Sequence, residues 1–210
     1  MNFNNYTTKS QETIQHAQQL AQRYTHNQIE NEHIFKALTK IDENVLPFLL
    51  KKLNINISII NQILDKQLEN FPKVSGAELM ISREASKSLN EAAIIAKNMK
   101  DDYVSIEHLI LAIFKSKSNI AQVLKDQGVT EKHLKAAIEE LRKGERVTSQ
   151  NQEETYNSLN KYAKYVVTFK TAILDVALTP SSLPKEATTL RYKLLSVSTG
   201  KPIFCASTFN

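Results

Sequence analysis

Two Glu-His dipeptides, Glu32-His33 and Glu107-His108, combine residue types that could do chemistry. A carboxylate beside an imidazole can move protons or ligate a metal ion. Adjacent residues on a helix point to different faces, however, and the sequence lacks the His-Glu-x-x-His spacing of zinc sites. We therefore expect each Glu to lie at the start of a helix, where the helix dipole favours a carboxylate. The His should pack or hydrogen-bond nearby.

The remaining candidates for chemistry are isolated. Cys205 lies in a Ser/Thr-rich segment far along the chain from every His, so a catalytic thiol is disfavoured. Asp101, Asp102 and Glu107 could approach a cation, but calcium loops need more oxygen ligands at regular spacing. The phosphate-binding pattern Gly-x-x-x-x-Gly-Lys-Ser/Thr does not occur. We predict no catalytic residue, no metal, no cofactor and no ATP hydrolysis by this chain.

Composition and charge exclude several classes of protein. Among 210 residues, 41% are apolar, only 4 are Gly and none is Trp, which favours a helical protein with one substantial core. A single Cys excludes an intramolecular disulfide framework. Neither a signal peptide nor an apolar run long enough to cross a membrane is present, so we expect a cytoplasmic protein without a membrane partner.

The positive charge is spread rather than concentrated. The whole chain carries 27 Lys+Arg and 22 Asp+Glu, a formal net charge of +5. Residues 1–146 contribute +2 with both signs interspersed, and residues 147–210 contribute +3 because acids are scarce there. Without a dense Lys/Arg run, we predict no nucleic-acid partner.

An internal repeat organises most of the chain. Shifting the sequence by 75 residues places residues 7–48 on residues 82–123, and both the Glu-His dipeptide and an Ala-x-x-x-Ala pair recur at that offset. Removing one residue then extends the match. We interpret this as two copies of one helical unit, repeat one at about 6–71 and repeat two at about 81–145.

Each repeat divides into four amphipathic segments at helical spacing. Thr7 or Thr8 is placed to cap the first helix, and Asn44 is placed to cap the third. In repeat two, further caps precede each apolar run: Ser82, Ser105, Ser118 and Thr130. Four-helix units of this kind each leave an apolar flank, so we expect the two repeats to pack about a pseudo-twofold axis and bury it.

The motifs within the repeats are similar to those of a known family. The stretches that carry the resemblance are Tyr6-Thr7 before the first helix, Asn31-Glu32-His33-Ile34, residues 102–109, 123–129 and 141–144, the connector 71–76 and the segment 153–164. Over about residues 1–164 the chain resembles the Clp N-terminal repeat (Clp R) domain of the bacterial Clp chaperone ATPases, most of all its disaggregase branch. The resemblance implies an all-α fold of two pseudo-twofold-related four-helix repeats (a double Clp N motif), followed by a short linker helix and an irregular tail.

The resemblance also implies a function without catalysis. Such domains recruit unfolded or aggregated polypeptides through an apolar groove between the repeats, and the matching groove positions are Thr7, Leu89, Asp101, Glu107 and His108. Alternatively, Thr7 caps the first helix and bonds Asp101 or Glu107, which would join the two repeats. A second functional hypothesis is a docking domain for an adaptor protein, and AAA+ ATPase subunits are further candidate partners.

The domain boundaries follow from the same comparison. Residues 1–146 are predicted to form the Clp R domain, and residues 147–166 a linker toward an ATPase module that this chain lacks. Residues 167–210 hold 12 Ser/Thr, three of the five Pro and the only Cys. That change in composition predicts a poorly ordered tail with no assigned role.

Overall fold

The computed structural model of the chain describes residues 3–74, 76 and 78–154. The predictions for residues 155–166, for the tail 167–210 and for Cys205 lie outside the described residues. Between Thr8 and Arg142 the described chain forms eight helices and two very short strands. The all-α fold predicted from the sequence is confirmed.

Repeat one contains four helices that begin close to the predicted positions. Thr7 caps the first helix, its Oγ1 accepting a hydrogen bond from the Ser10 amide. The bounds are α1 (Thr8–Arg23), α2 (Asn31–Ile41), α3 (Val45–Lys52) and α4 (Ile57–Glu69).

Repeat two reproduces this arrangement at an offset of 75 and then 74 residues. All four predicted caps, Ser82, Ser105, Ser118 and Thr130, occupy the position before a helix. The bounds are α5 (Arg83–Asn98), α6 (Ile106–Lys115), α7 (Asn119–Asp126) and α8 (Glu131–Arg142).

The cap of α3 differs from the prediction. Asn44 occupies the capping position, but its side chain makes no capping hydrogen bond. The buried carboxylate of Asp42 instead accepts hydrogen bonds from the amides of Asn44, Val45 and Leu46. The Asp42 carboxyl group, two residues before Asn44, is therefore the acceptor for the amides at the start of α3, which have no partner within the helix.

Two matching backbone contacts join the repeats. On one side, Tyr6 forms a parallel bridge with Val104. On the other, β1 (Gln28–Ile29) pairs in parallel with β2 (Met80–Ile81), so that Ile29 lies opposite Ile81. Adding 75 to residue 6 gives 81, and adding it to residue 29 gives 104, so each contact is the image of the other. This exchange is the signature of a twofold relation between the repeats.

The core lies around α2 and α6. Every residue from 31 to 38 and from 106 to 114 is buried, as expected for helices surrounded by others. The helix α1 packs on α2 and α5 packs on α6, while α3 contacts α6 and α8 across the repeats. Residues 147–154, which we call the strap, lie against the starts of α1 and α6 rather than leaving the domain at once.

Candidate functional site

The two Glu-His dipeptides occupy equivalent positions in the first turns of α2 and α6. In each, the His Nδ1 accepts a hydrogen bond of 2.9 Å from the backbone amide of the residue before the helix, Glu30 for His33 and Ser105 for His108. Each imidazole therefore helps to cap its helix by accepting a hydrogen bond from a backbone amide. The prediction that they pack and hydrogen-bond at helix starts is confirmed.

The imidazole of His33 also forms a neutral pair with the imidazole of His26. Because its Nδ1 accepts from the Glu30 amide, its Nε2 carries the proton and donates to Nδ1 of His26 at 2.9 Å. Burial, with a smaller contribution from the charge of His26, lowers the pKa of His33 to about 4. Burial and the charge of Lys73 also lower the pKa of His26. The pair is thus uncharged near pH 7.

His108 belongs instead to a charged network. Its Nε2 lies 2.9 Å from Oδ2 of Asp101, and Arg142 bonds the same Oδ2 at 2.7 Å and Oε1 of Glu107 at 2.9 Å. The side chains of Asp101, Glu107 and His108 are fully buried. Burial alone would raise the pKa of Asp101, but the hydrogen bonds from His108, the Val147 amide and Arg142 together lower it.

Thr7 binds neither Asp101 nor Glu107. Its hydroxyl donates to Oε1 of Glu153 at 2.6 Å, and the same oxygen accepts from the Ile106 amide at 3.2 Å. The prediction that Thr7 bonds Asp101 or Glu107 was therefore wrong, because the hydroxyl of Thr7 bonds Glu153 of the strap instead. Thr7 nevertheless bridges α1 and α6 through this one carboxyl group.

The structure brings the five predicted site residues to one side of the seam between the repeats, with their side chains inside the protein. Leu89 lies beneath the N-terminal segment, where the Tyr6 hydroxyl donates to its carbonyl oxygen at 3.0 Å. Thr7, Leu89, Glu107 and His108 are each at most 1% exposed, and the Asp101 side chain is buried as well. These side chains do not line an open surface in this conformation.

Two buried residues of this region, Arg142 and Glu153, were not singled out from the sequence. Arg142 follows an apolar stripe on α8, where a basic residue normally interacts with the helix dipole in solvent. Glu153 is 2% exposed although it lies in the predicted linker. The only sequence signal was that both fall within stretches that carry the family resemblance, residues 141–144 and 153–164.

The described residues show no metal centre and no membrane span. Among residues 3–74, 76 and 78–154, no group of three His, Cys, Asp or Glu side chains is placed to hold a metal ion. None of the helices in this same part of the chain is long and apolar enough to cross a membrane.

Comparison with known proteins matches this architecture. Chaperone protein ClpB of Bacteroides thetaiotaomicron is 48% identical over 163 residues, which cover 78% of this chain and 19% of that protein. ClpB of Porphyromonas gingivalis is 47% identical over 163 residues, with the same shares covered. The chain thus spans about a fifth of the length of these curated relatives.

Solved structures show the same fold at lower identity. The Hsp104 N-terminal domain from Candida albicans superposes with a TM-score of 0.64 at 24% identity, covering 71% of this chain and 99% of that domain. A ClpV N-domain, solved in complex with a VipB peptide, gives a TM-score of 0.57 at 15% identity over 65% of this chain and 86% of that one.

The family model that matches is the Clp repeat (R) N-terminal domain, over residues 5–127. This match covers more than half of the chain, and ClpB proteins nearly half identical to it extend the similarity beyond residue 127. The chain belongs to the Clp repeat (R) N-terminal domain family.

Proposed function

We propose that this chain is the polypeptide-recruiting domain of a ClpB-type chaperone of the cytoplasm, which engages unfolded or aggregated protein at the seam between its repeats. Membership of the Clp R family and the identity to ClpB proteins support this assignment. In this proposal the chain contributes recognition, and AAA+ ATPase subunits would supply the hydrolysis that drives disaggregation.

The observation that carries the proposal is the convergence of the predicted site residues on one side of the seam. The Leu89 carbonyl accepts from Tyr6 in the N-terminal segment, and Thr7 is linked to the start of α6 through Glu153. Asp101, Glu107 and His108 belong to the charged network nearby. The peptide edge of residues 5–7 is held by two hydrogen bonds to Val104. These bonds fix the N-terminal segment against repeat two, so in the proposal a polypeptide at the seam would contact both repeats.

Burial of the five side chains assigns them a supporting role in the proposal. They hold the seam in shape, and they would meet a polypeptide directly only when the seam opens. Such contacts are expected to be weak, on the order of micromolar or weaker, because an unfolded target loses conformational entropy on docking.

The proposal is tested by titrating the isotope-labelled chain with a permanently unfolded, reduced and alkylated protein. We expect amide chemical-shift changes around Thr7, Leu89 and Val104, and none around the exposed Ile59 on α4. Leu89→Asp should abolish them, and Ile59→Asp is the control on a remote surface. Because Leu89→Asp introduces a buried charge, mapping on the unmodified chain decides the result. Shifts that are absent or scattered would contradict the proposal.

The second candidate is docking of a folded adaptor. The observation behind it is the solved complex of a ClpV N-domain with a VipB peptide, in which a domain of this fold, 15% identical, binds a defined protein segment. A defined partner of that kind should perturb one compact set of amides at a fixed stoichiometry. If only such a partner changes the spectrum while unfolded proteins do not, the adaptor function replaces the first proposal.

A further inference from the structure

The strap, residues 147–154, ties together the starts of two helices that belong to different repeats. Its Gln150 carbonyl accepts from the Thr8 amide at 2.9 Å, and the Asn151 side chain accepts from the Thr8 hydroxyl at 2.7 Å. At its near end, the Val147 amide donates to Asp101 at 2.9 Å and its carbonyl accepts from the Asp102 amide. The first amides of a helix have no partner within the helix, so the strap supplies one from outside.

Glu153 holds the far end of the strap through one oxygen. Its Oε1 accepts from the Thr7 hydroxyl and the Ile106 amide, whereas its Oε2 is buried without a hydrogen-bond partner. The same is true of Oε2 of Glu107 on α6. Burying two carboxylates with unsatisfied oxygens is unfavourable while both are charged.

The equivalent position in the other half of the molecule is built differently. Ser82 is the twofold mate of Thr7, and its hydroxyl also donates to a carboxylate at 2.6 Å. There the acceptor is Glu30, which lies at the start of α2 itself. On the strap side the carboxylate comes from a segment outside the repeats, so this acceptor can leave without unfolding either repeat.

We propose that Glu153 is a proton-controlled latch: in its neutral form it holds the strap over the seam at Thr7 and Ile106, and its ionisation releases the strap. Release would uncover the Thr7 hydroxyl and the amides of Thr8 and Ile106. These are hydrogen-bond donors suited to the carbonyl or carboxylate oxygens of an extended polypeptide. The latch rests on the proposed function, because it regulates access to the same seam.

The groups around Glu153 favour its neutral form. Burial and the charge of Glu107 raise the pKa of Glu153 to about 7, even though hydrogen bonds from Thr7 and Ile106 oppose the shift. Arg142 bonds Glu107 at 2.9 Å, but it is shared with Asp101, which it bonds at 2.7 Å. On the α1 side, Lys9 pairs with Glu12 in a partly exposed position.

The latch makes a prediction about pH with a definite sign. While the strap is docked, burial holds the pKa of Glu153 at about 7. When the strap is released, Glu153 is exposed to water and its pKa returns to the ordinary value of about 4.5. Docking is therefore coupled to proton uptake, and the strap weakens as pH rises through neutrality. Between pH 6 and pH 8.5 the release equilibrium should increase about tenfold.

The test is an NMR titration of the full 210-residue chain without any partner. The Glu153 side-chain carboxyl carbon should titrate with a midpoint near 7, and the amides of Thr8 and Ile106 should shift and lose protection with the same midpoint. In Glu153→Gln, a neutral isostere, both amides should stay protected up to pH 8.5. Glu154→Gln, which changes the exposed neighbour, should behave like the unmodified chain.

Two results would overturn the latch. One is a Glu153 midpoint near 4.5, and the other is an equal loss of protection in Glu153→Gln. The unfolded-protein titration, repeated at pH 6 and 8.5, separates this outcome from failure of the proposed function. No binding at either pH removes the recruitment function but leaves the amide titration intact. Binding that is equal at both pH values in a chain whose strap opens shows that the strap does not control access.

Discussion

Replacement of Arg142 by Met is predicted to destabilise the domain by about 4 kcal/mol. Arg142 is 5% exposed and neutralises two carboxylates at once, with contacts of 2.9 Å to Glu107 and 2.7 Å to Asp101. Met retains the apolar stem but leaves both buried acids without their cation. Removing one partner of a buried pair typically costs about 3–5 kcal/mol. For a domain of this size, that loss corresponds to a Tm lower by roughly 10 °C.

Urea unfolding followed by circular dichroism measures this loss, with Arg146→Met as the matched control. Arg146 lies four residues away on the exposed surface, so its replacement should change the free energy of unfolding by less than about 0.5 kcal/mol. If unpaired charge is the cause, adding Glu107→Gln to Arg142→Met should restore about 1–2 kcal/mol. The reasoning would be refuted if Arg142→Met and Arg146→Met lowered the free energy of unfolding equally, or if the double variant were less stable than Arg142→Met alone.

Two further predictions concern the first repeat. The pKa of His33, lowered to about 4, means that the unfolded chain takes up a proton below pH 6.5 while the folded chain does not, so acid weakens folding. When the pH is lowered from 7.5 to 5, the free energy of unfolding of His33→Asn, measured in urea, should therefore fall by about 2 kcal/mol less than that of the unmodified chain. An equal fall in both chains would contradict a neutral buried His33. In the same assay, Asp42→Ala should lower the free energy of unfolding by about 2 kcal/mol, because Asp42 accepts hydrogen bonds from three amides at the start of α3. Asn44→Ala should lower it by less than about 0.5 kcal/mol. If the order were reversed, Asn44 would be the cap.

The repeat was readable from sequence because it is a local pattern copied at a fixed offset. The offset of 75 residues aligned not only helices but also turn geometry: Thr25 and Lys100 both have positive φ, at 61° and 60°. After the single deletion, Asn54 and Gly128 match in the same way. Caps next to apolar periodicity gave most helix starts, since both signals lie within a few residues of the boundary.

The buried charges were not readable, because their partners lie far away in sequence. Arg142 reaches Glu107 and Asp101 across 35 and 41 residues, and Glu153 reaches Thr7 across 146. A single basic residue at the end of α8, or an acid in a polar segment, has the sequence signature of a solvent-exposed position. Strands of two residues, such as β1 and β2, also leave no periodic pattern to detect.

The two halves of the domain differ most where twofold symmetry would make them equal. His33 pairs with the neutral His26, whereas its mate His108 contacts Asp101, the residue equivalent to His26, and that acid requires Arg142. Burial lowers the pKa values of both His26 and His33, that of His33 to about 4, so this pair is neutral near pH 7. The equivalent site in the second repeat instead buries two acids beside an arginine. The second repeat therefore concentrates the ionisable groups beneath the strap, on the side of the seam where Thr7 and Leu89 lie. If that asymmetry serves recruitment, exchange of a polypeptide for the strap should occur on this side and not at the Ser82–Glu30 contact.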